Sequence, residues 1–276
     1  MFRTARAIAF ANLVITPVMA DMVTVNFDNY STGVIHNQNG WKSSGAAGGG
    51  CKVYDVAVVQ NTYGFTAFGT KSLRISNAVV SGCFSDQTYS KPILEEAGEA
   101  RAVNGGQSGG TRRRQFNAQW SVASTKATHQ PGLAVDITAD RGDGARGNLL
   151  RISDEACGIR VDLFEYRNRG FVFNNAASCL SRSSPHIIRL KYDFLEGPGN
   201  DVVQVYVNNT LRYTGTTWED ASANPPPTVD SLLFRPPSDN SMPQLPGAPA
   251  TLGFGFLFDN ITISNGGSVV DLPIGF

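Results

Sequence analysis

Hydrophobic and polar residues alternate with a period of two along much of this chain, which predicts β-strands. In the segment 186–194, the even positions from 188 onward are apolar and three of the odd positions are charged. This pattern is typical of a strand with one buried face. The segment 202–207 alternates in the same way and is followed by Asn208-Asn209, residue types that favour the tight turn of a β-hairpin.

The same reading of the whole chain predicts about twelve strands and no long amphipathic helix. The predicted segments are 22–27, 53–59, 71–76, 113–123, 133–138, 149–152, 159–166, 170–173, 186–194, 202–213, 231–234 and 254–264. Many short strands separated by clusters of Gly, Pro, Asn and Asp indicate an all-β fold. We therefore expect an antiparallel β-sandwich with a jelly-roll arrangement.

Two strand segments at opposite ends of the chain carry the same tripeptide. Phe27-Asp28-Asn29 ends the first predicted strand, and Phe258-Asp259-Asn260 lies within the last. First and last strands often lie side by side in a two-layered sandwich. We expect residues 23–28 to lie within one strand spacing, about 5 Å, of residues 254–263.

The first twenty residues have the pattern of a secretory signal peptide. Two arginines precede a short apolar run from Ala7 to Val18, and small residues lead to a cleavage site after Ala20. The apolar run is too short to span a bilayer. Residues 1–20 are thus predicted to be removed, and residues 21–276 are predicted to form one exported β-sandwich domain without membrane insertion, either extracellular or periplasmic.

The charge balance excludes a general attraction to nucleic acids or to anionic membranes. The full chain has a formal net charge of zero, and loss of Arg3 and Arg6 leaves the mature chain near −2.

The four cysteines of the chain predict disulfide bonds, because an even number in an exported protein favours pairing. Three connectivities exist. Pairs that are near in sequence flank predicted loop excursions, which favours Cys51–Cys83 and Cys157–Cys179. A zinc site is disfavoured, since no two cysteines have the close spacing of zinc ligands.

Several segments resemble known proteins of the concanavalin A-like lectin and glucanase superfamily. The hairpin from Val202 to Leu211 is similar to one of laminin G-like domains, and Phe258-Asp259-Asn260-Ile261 resembles their closing strand. Gly40-Trp41 and the segment 215–220 also resemble a secreted group with this fold and no assigned activity. The resemblance implies a jelly roll and, since such sandwiches often bind glycans, a role in carbohydrate binding.

The residues themselves offer a diffuse set of candidates for glycan binding. Sugars stack an apolar ring face on an aromatic side chain, and planar polar groups bind their hydroxyls. Trp41 and Trp218 lie close to turn segments, and a Gly-rich loop from Asp140 to Arg146 adds two acids and two arginines. The predicted contacts are Trp41, Trp218, Asp140, Arg141, Asp143 and Arg146.

Catalysis is the alternative interpretation. The paired-carboxylate motif of β-sandwich glycosidases, Glu-x-Asp-x-x-Glu, is absent. A uronate polysaccharide lyase needs a cation or an amide beside the uronate carboxylate, and a Tyr or His to move protons. The candidates for these roles are Arg114, His129, Gln130 and Tyr166, although the Tyr-x-Lys-x-Gly-x-Tyr strand of alginate lyases is missing.

No cofactor is required by this interpretation, but a structural Ca²⁺ is a further possibility. Many sandwich lectins hold calcium with oxygen ligands from their terminal strands, which makes Asp28 and Asp259 the candidate ligands. The sequence thus predicts a secreted, lectin-like protein that binds a polysaccharide or glycoconjugate without catalysis. The alternatives are a uronate polysaccharide lyase and a structural protein of the extracellular matrix or envelope.

Overall fold

The structure of the chain is a computed structural model that describes residues 22–43, 54–79, 87–93, 115–140, 146–195, 197–221, 229–237 and 245–265. Within these ranges the chain forms fifteen β-strands and three short 3-10 turns. None of the helical segments described is long and apolar enough to cross a membrane. The strands are β1 Met22–Val25, β2 Lys42–Ser43, β3 Val56–Gln60, β4 Lys71–Ile75, β5 Thr88–Tyr89, β6 Gln115–Ser124, β7 Ala134–Asp140, β8 Leu149–Glu155, β9 Gly158–Arg167, β10 Gly170–Leu180, β11 His186–Asp193, β12 Val202–Val207, β13 Thr210–Gly215, β14 Ser231–Arg235 and β15 Phe256–Ser264.

The strands form two antiparallel sheets. The eight-stranded sheet has the order β13-β12-β11-β6-β15-β4-β3, and β1 pairs with β15 beside this path. The seven-stranded sheet has the order β10-β9-β8-β7-β14-β5-β2. The expected all-β sandwich is confirmed.

The core lies between the sheets and is built from the apolar positions of the alternating strands. In β11 every second residue is buried, as the pattern predicts, and β12 alternates in the same way. Trp120 of β6 and Phe256 and Phe258 of β15 are fully buried. Each such side chain contributes about 1.5–3 kcal/mol of hydrophobic stabilisation.

The two terminal strands are neighbours, as the matching tripeptides predict. Met22 pairs with Ser264 and Val25 pairs with Ile261. The pairing of β15 shifts register between Asp259 and Thr262, where Asn260 has a φ of 49°. This bulge lies beside the place where the first strand ends, so the two tripeptides lie close together.

The predicted hairpin between β12 and β13 is also confirmed. Asn208 and Asn209 have φ values of 51° and 63°. Positive φ at both central residues is what a type I′ hairpin turn requires, and Asn tolerates it better than most residues.

Three differences from the predicted strands have physical reasons. β2 and β5 have two residues each, too few for a periodic pattern. β10 continues to Leu180, although the sequence predicts a strand only as far as Phe173. Most of β10 is exposed at the edge of its sheet, so it lacks the alternation by which buried strands are found.

One of the two predicted disulfides lies within the described residues. Cys157 and Cys179 are bonded and join the turn between β8 and β9 to the far part of β10. Cys51, Cys83 and the predicted signal peptide, residues 1–20, lie outside the described residues.

Candidate functional site

A row of polar residues with alternating charge crosses the outer face of the seven-stranded sheet. Asp136 of β7 lies opposite both Arg235 of β14 and Arg151 of β8. Arg151 lies opposite Asp162 of β9, and Asp162 lies opposite Asn175 of β10. Directly opposed residues point to the same face, so five neighbouring strands contribute one continuous row, which we call the charge row.

Hydrogen bonds fix the side chains of this row. The Arg151 guanidinium donates to both carboxylate oxygens of Asp136, with distances of 2.7 and 3.0 Å. Arg160 Nε donates to Asp162 Oδ2 at 2.6 Å, and Asn175 Nδ2 donates to Asp162 Oδ1 at 3.0 Å. Such bidentate and charge-assisted bonds hold planar groups in defined orientations.

Five aromatic rings lie beside the charge row at the edge of the sheet. We call them the aromatic platform: Phe164, Tyr166, Phe171, Phe173 and Trp218. Phe173 lies opposite Phe164, with ring centroids 4.5 Å apart, and Phe171 lies opposite Tyr166, at 5.0 Å. Trp218 packs edge-on against Phe171 at 5.3 Å. Phe171 and Phe173 are each 39% exposed, so the platform presents apolar ring surface to solvent.

The buried carboxylate of Glu165 anchors the segment that carries Trp218. Glu165 accepts hydrogen bonds from the Tyr213 hydroxyl at 2.6 Å and from the Thr216 backbone N–H at 2.7 Å. Burial, together with the charge of Glu165, raises the pKa of Tyr213 to about 12. The indole Nε1 of Trp218 donates to the Phe164 carbonyl at 3.0 Å. These contacts set the indole against the rings of β9 and β10.

The structure brings together three of the predicted glycan contacts, Trp218, Asp140 and Arg146. Asp140 and Arg146 form an antiparallel bridge at the end of β7. The backbone N–H of Trp218 donates to the carbonyl of Gly147, next to Arg146. Burial lowers the pKa of Arg146, against the charges of Asp140 and Asp136. Arg141 and Asp143, the other two contacts predicted in this loop, lie outside the described residues.

Trp41 is not available as a stacking surface, so its prediction as a glycan contact is wrong. Its side chain is fully buried in the core, 5.4 Å from Phe27 and 6.0 Å from Phe234 between ring centroids. A tryptophan next to a turn in the sequence can still point inward, and the Trp41 side chain packs in the apolar core.

The residues proposed for a lyase do not form one site. The ring of His129 contacts the carbonyl of Asp154, which lies opposite Ile159 near the start of β9. Tyr166 lies seven residues further along β9, about 23 Å at the usual rise of a strand. His129 and Tyr166 thus lie near opposite ends of this strand.

Gln130 has a structural role. Its side-chain amide donates to Ser124 Oγ at 2.9 Å, and its Oε1 accepts from the backbone N–H of Gly255 at 3.1 Å. The amide is buried and holds the start of β15 against the end of β6. The grouping of Gln130 and His129 with Tyr166 is therefore wrong, and Arg114 lies outside the described residues.

Asp28 and Asp259, the candidate calcium ligands, lie close to each other, and hydrogen-bond donors occupy most of their carboxylate oxygens. Asp28 Oδ1 accepts from the Thr70 backbone N–H at 2.6 Å and from Thr70 Oγ1 at 2.9 Å. Asp259 accepts from the backbone N–H of Asn260 at 2.7 Å and from Ser72 Oγ at 3.3 Å. Asp28 Oδ1 and both carboxylate oxygens of Asp259 are thus engaged by N–H and O–H donors, and calcium binding by these residues stays a prediction.

A lysine supplies the cation at this junction. Lys71 Nζ donates to the carbonyls of Asp28 and Tyr30 at 2.9 and 2.7 Å. Calcium takes six to eight oxygen ligands. Here the backbone carbonyls of Asp28 and Tyr30 accept hydrogen bonds from the Lys71 ammonium. Among the residues described, no group of three or more His, Cys, Asp or Glu is arranged to hold a metal.

The sequence reasoning missed most of the aromatic platform, although a signal was present. Phe164 and Tyr166 precede the turn at Asn168-Arg169, and Phe171 and Phe173 follow it. Folding these residues as a hairpin pairs the aromatic positions on one face. The sequence pattern predicts only the short strand 170–173, and the pairing of this strand with the one before it, on which the platform depends, does not follow from the pattern alone.

Comparison with known proteins shows similarity at the level of the fold. No protein-family model matches the sequence, and no curated protein matches it. Among solved structures, the alginate lyase Aly36B in complex with alginate tetrasaccharide is 10% identical, with 88% of this chain and 96% of the lyase covered and a TM-score of 0.52. Aly36B with alginate trisaccharide is 12% identical over 88% and 97%, with a TM-score of 0.50. The transglycosylase Crh5 is 9% identical over 90% and 85%, with a TM-score of 0.44.

The similarity to Aly36B shows the class of fold: the chain is a β-sandwich jelly roll.

Proposed function

We propose that this protein is an exported, non-catalytic polysaccharide-binding protein, with its ligand on the outer face of the seven-stranded sheet. The aromatic platform is the observation that carries the proposal. Contiguous aromatic rings exposed to solvent are costly on a soluble protein unless they bind something. The apolar face of a sugar ring stacks on such a surface. The exposed rings of Phe171 and Phe173 on the edge strand leave room for this stacking.

The neighbouring charge row supplies the polar half of a sugar site. The Arg151 guanidinium lies 4.9 Å from the centroid of the Phe173 ring, so polar and apolar surfaces meet there. Asp136, Arg151 and Asp162 are buried, and the row reaches solvent at Asn175 of the edge strand. Carboxylate, amide and guanidinium groups can accept from and donate to sugar hydroxyls in their plane.

The fold and the covalent chemistry agree with this proposal. A protein of the same fold has been solved with alginate oligosaccharides bound. The Cys157–Cys179 disulfide is typical of an oxidising compartment outside the cytoplasm, which supports export and cleavage after Ala20.

Removal of single platform rings tests the proposal. Phe171→Ala, Phe173→Ala and Trp218→Ala should each weaken retention on a polysaccharide by about 1–3 kcal/mol, the scale of one aromatic ring stacked on a nucleic-acid base. Affinity electrophoresis in gels that contain a soluble polysaccharide measures this directly.

Phe254→Ala is the matched control. Phe254 is 38% exposed, nearly as much as Phe171, but it precedes β15 and contacts Lys126. Its loss should leave retention unchanged. Equal losses in Phe254→Ala and the platform variants, or retention that survives all three platform variants, would rule out the platform as the binding surface. If no polysaccharide retains the wild type, a structural envelope role is the better interpretation.

A second candidate function, β-elimination on a uronate polymer, is favoured by a different part of the same face. Tyr89 of β5 donates from its hydroxyl to Gln87 and lies near the Arg146 guanidinium. β-Elimination needs a group that transfers a proton, such as a phenol, and a nearby cation that stabilises the developing negative charge. Tyr89→Phe should then abolish the release of ultraviolet-absorbing unsaturated products from alginate. If the wild type releases none, this candidate fails while binding stands.

A further inference from the structure

The edge strand of the aromatic platform carries no charge. β10, Gly170–Leu180, has eleven residues and not one Asp, Glu, Lys or Arg among them. Natural edge strands commonly carry charged side chains that prevent pairing with other chains. On β10 the exposed positions are aromatic, aliphatic, amide, hydroxyl or disulfide, so a ligand on this strand meets no fixed charge from it.

The cations beside the platform are already neutralised within the protein. Arg151 pairs with Asp136 at 2.7 Å, and Arg160 pairs with Asp162 at 2.6 Å. Arg167 Nε lies 3.3 Å from Glu165 Oε1. To bind an anionic ligand, each of these guanidinium groups would have to exchange an internal carboxylate for an external one, with little net gain in electrostatic energy.

The remaining charged groups of the described residues near the platform do not alter this balance. Arg169 lies in the turn between β9 and β10, while Glu219 and Asp220 directly follow Trp218. With the three pairs, Arg235 opposite Asp136 and the bridged residues Asp140 and Arg146, six acids and six cations lie in this part of the described residues, so their charges balance. A chain of uronate or sulfate groups would therefore experience no net attraction from these residues.

From this arrangement we infer that the platform binds an uncharged polysaccharide, a polymer of hexoses or pentoses without carboxylate or sulfate groups. The inference rests on the proposed function and adds the class of ligand. Apolar ring faces stack on Phe171 and Phe173, while the neutral hydroxyls bond to the exposed Asn175, whose planar amide needs no charge in the partner. The ligand thus differs in charge from alginate.

The first experiment compares neutral and acidic polymers. Hydroxyethylcellulose, galactomannan and xylan are tested against alginate and polygalacturonate by affinity electrophoresis of the full mature chain. We expect a neutral polymer to retain the protein and the acidic polymers not to. Retention should change less than about twofold between about 50 and about 500 mM NaCl, since no ion pair with the ligand is screened, and it should be lost in Phe171→Ala.

A substitution that unbalances the charge row gives a second, independent readout. Asp162→Asn keeps the shape and hydrogen-bonding capacity of the side chain but leaves the Arg160 guanidinium without its carboxylate. We expect this variant to gain retention on alginate at low salt. Asp193→Asn is the matched control, because Asp193 pairs with Lys191 at 3.0 Å in the other sheet. It removes the same charge elsewhere and should gain nothing.

The results distinguish failure of the uncharged ligand from failure of the platform as a glycan-binding surface. Salt-sensitive retention of the wild type on alginate that is lost in Phe171→Ala would overturn the uncharged ligand and keep the platform as a glycan site. The absence of retention on every polymer would overturn both. Retention on a neutral polymer, with a gain on alginate in Asp162→Asn alone, supports both.

Discussion

Buried carboxylates in this protein are stabilised in two different ways. Asp55 accepts from Arg74 Nη1 at 2.7 Å and from Ser76 Oγ at 2.6 Å. Burial by itself raises the pKa of Asp55, but these bonds and the charge of Arg74 outweigh it and hold the pKa below its usual value. Asp259 has only neutral donors, and burial, with the charge of Asp28 adding to it, raises its pKa to about 7.

The unusual pKa of Asp259 predicts a pH dependence of stability. The folded state holds the proton up to about pH 7, whereas the unfolded chain releases it near pH 3.8. The stabilisation from this group is therefore complete below the unfolded value and is lost as the pH rises to about 7, by up to about 4 kcal/mol. Asp259→Asn is neutral throughout, so the variant should become progressively more stable than the wild type between these two pH values.

Urea denaturation of both proteins from pH 4 to pH 8 measures this difference. Asp193→Asn serves here too as the control, because Asp193 is partly exposed and pairs with Lys191. A constant difference in unfolding free energy between wild type and Asp259→Asn over this range would show that the carboxyl is ionised throughout.

At the level of elements, β10 is an exposed edge strand that is secured at its far end. Its pairing with β9 is regular from Gly170 to Asn175 and then shifts register twice before Leu180. Such bulges interrupt the edge as a template for other strands. The Cys157–Cys179 bond and the positive φ of 56° at Cys179 lie in this irregular part. The platform lies in the regular part.

This division predicts that the disulfide supports stability and not binding. The double substitution Cys157→Ser with Cys179→Ser opens a loop with a sequence separation of 22 residues, which should cost about 3 kcal/mol of unfolding free energy. Chemical denaturation measures the loss. Retention on the polysaccharide at low temperature should remain, because Phe171 and Phe173 keep their pairing with β9. Loss of retention in a variant that is still folded would show that the bulged part shapes the platform.

At the level of the whole molecule, the two ends of the chain close one sheet together. β1 adds to β15 near the middle of the eight-stranded sheet, and its Val23 and Val25 are buried. β1 and β15 thus pair directly, and both contribute buried side chains to the core.

A pair of truncations tests this closure. Removal of residues 1–20 should leave the thermal stability unchanged, since the predicted signal peptide precedes β1. Removal of residues 1–25 deletes β1 and exposes core, which costs about 1.5–3 kcal/mol for each of the two buried valines, besides the lost pairing with β15. The melting temperatures of the two truncated proteins should therefore differ clearly. Similar melting temperatures would mean that β1 is dispensable.

The local pattern of the sequence determined most of the strands, the hairpin at Asn208-Asn209 and the pairing of the ends. These features depend on neighbouring residues or on a repeated motif: alternation places side chains on two faces, and Asn tolerates positive φ. The same reasoning gave Trp218 and the loop from Asp140 to Arg146 as candidate contacts, and the structure places Trp218, Asp140 and Arg146 next to each other. The role of these residues in binding stays a prediction.

Only the tertiary structure decided which side chains share a surface. Asp136, Arg151 and Asp162 come from three consecutive strands and Arg235 from a strand distant in sequence, and the register of each pairing must be known before they form one row. A slip of one residue would turn a strand's side chains to the other face. In the same way, Trp41 and Trp218 both lie near turns in the sequence, yet packing buries the first in the core and sets the second against the platform. Strand formation is a local property of the chain, whereas the composition of a surface depends on contacts between residues far apart along it.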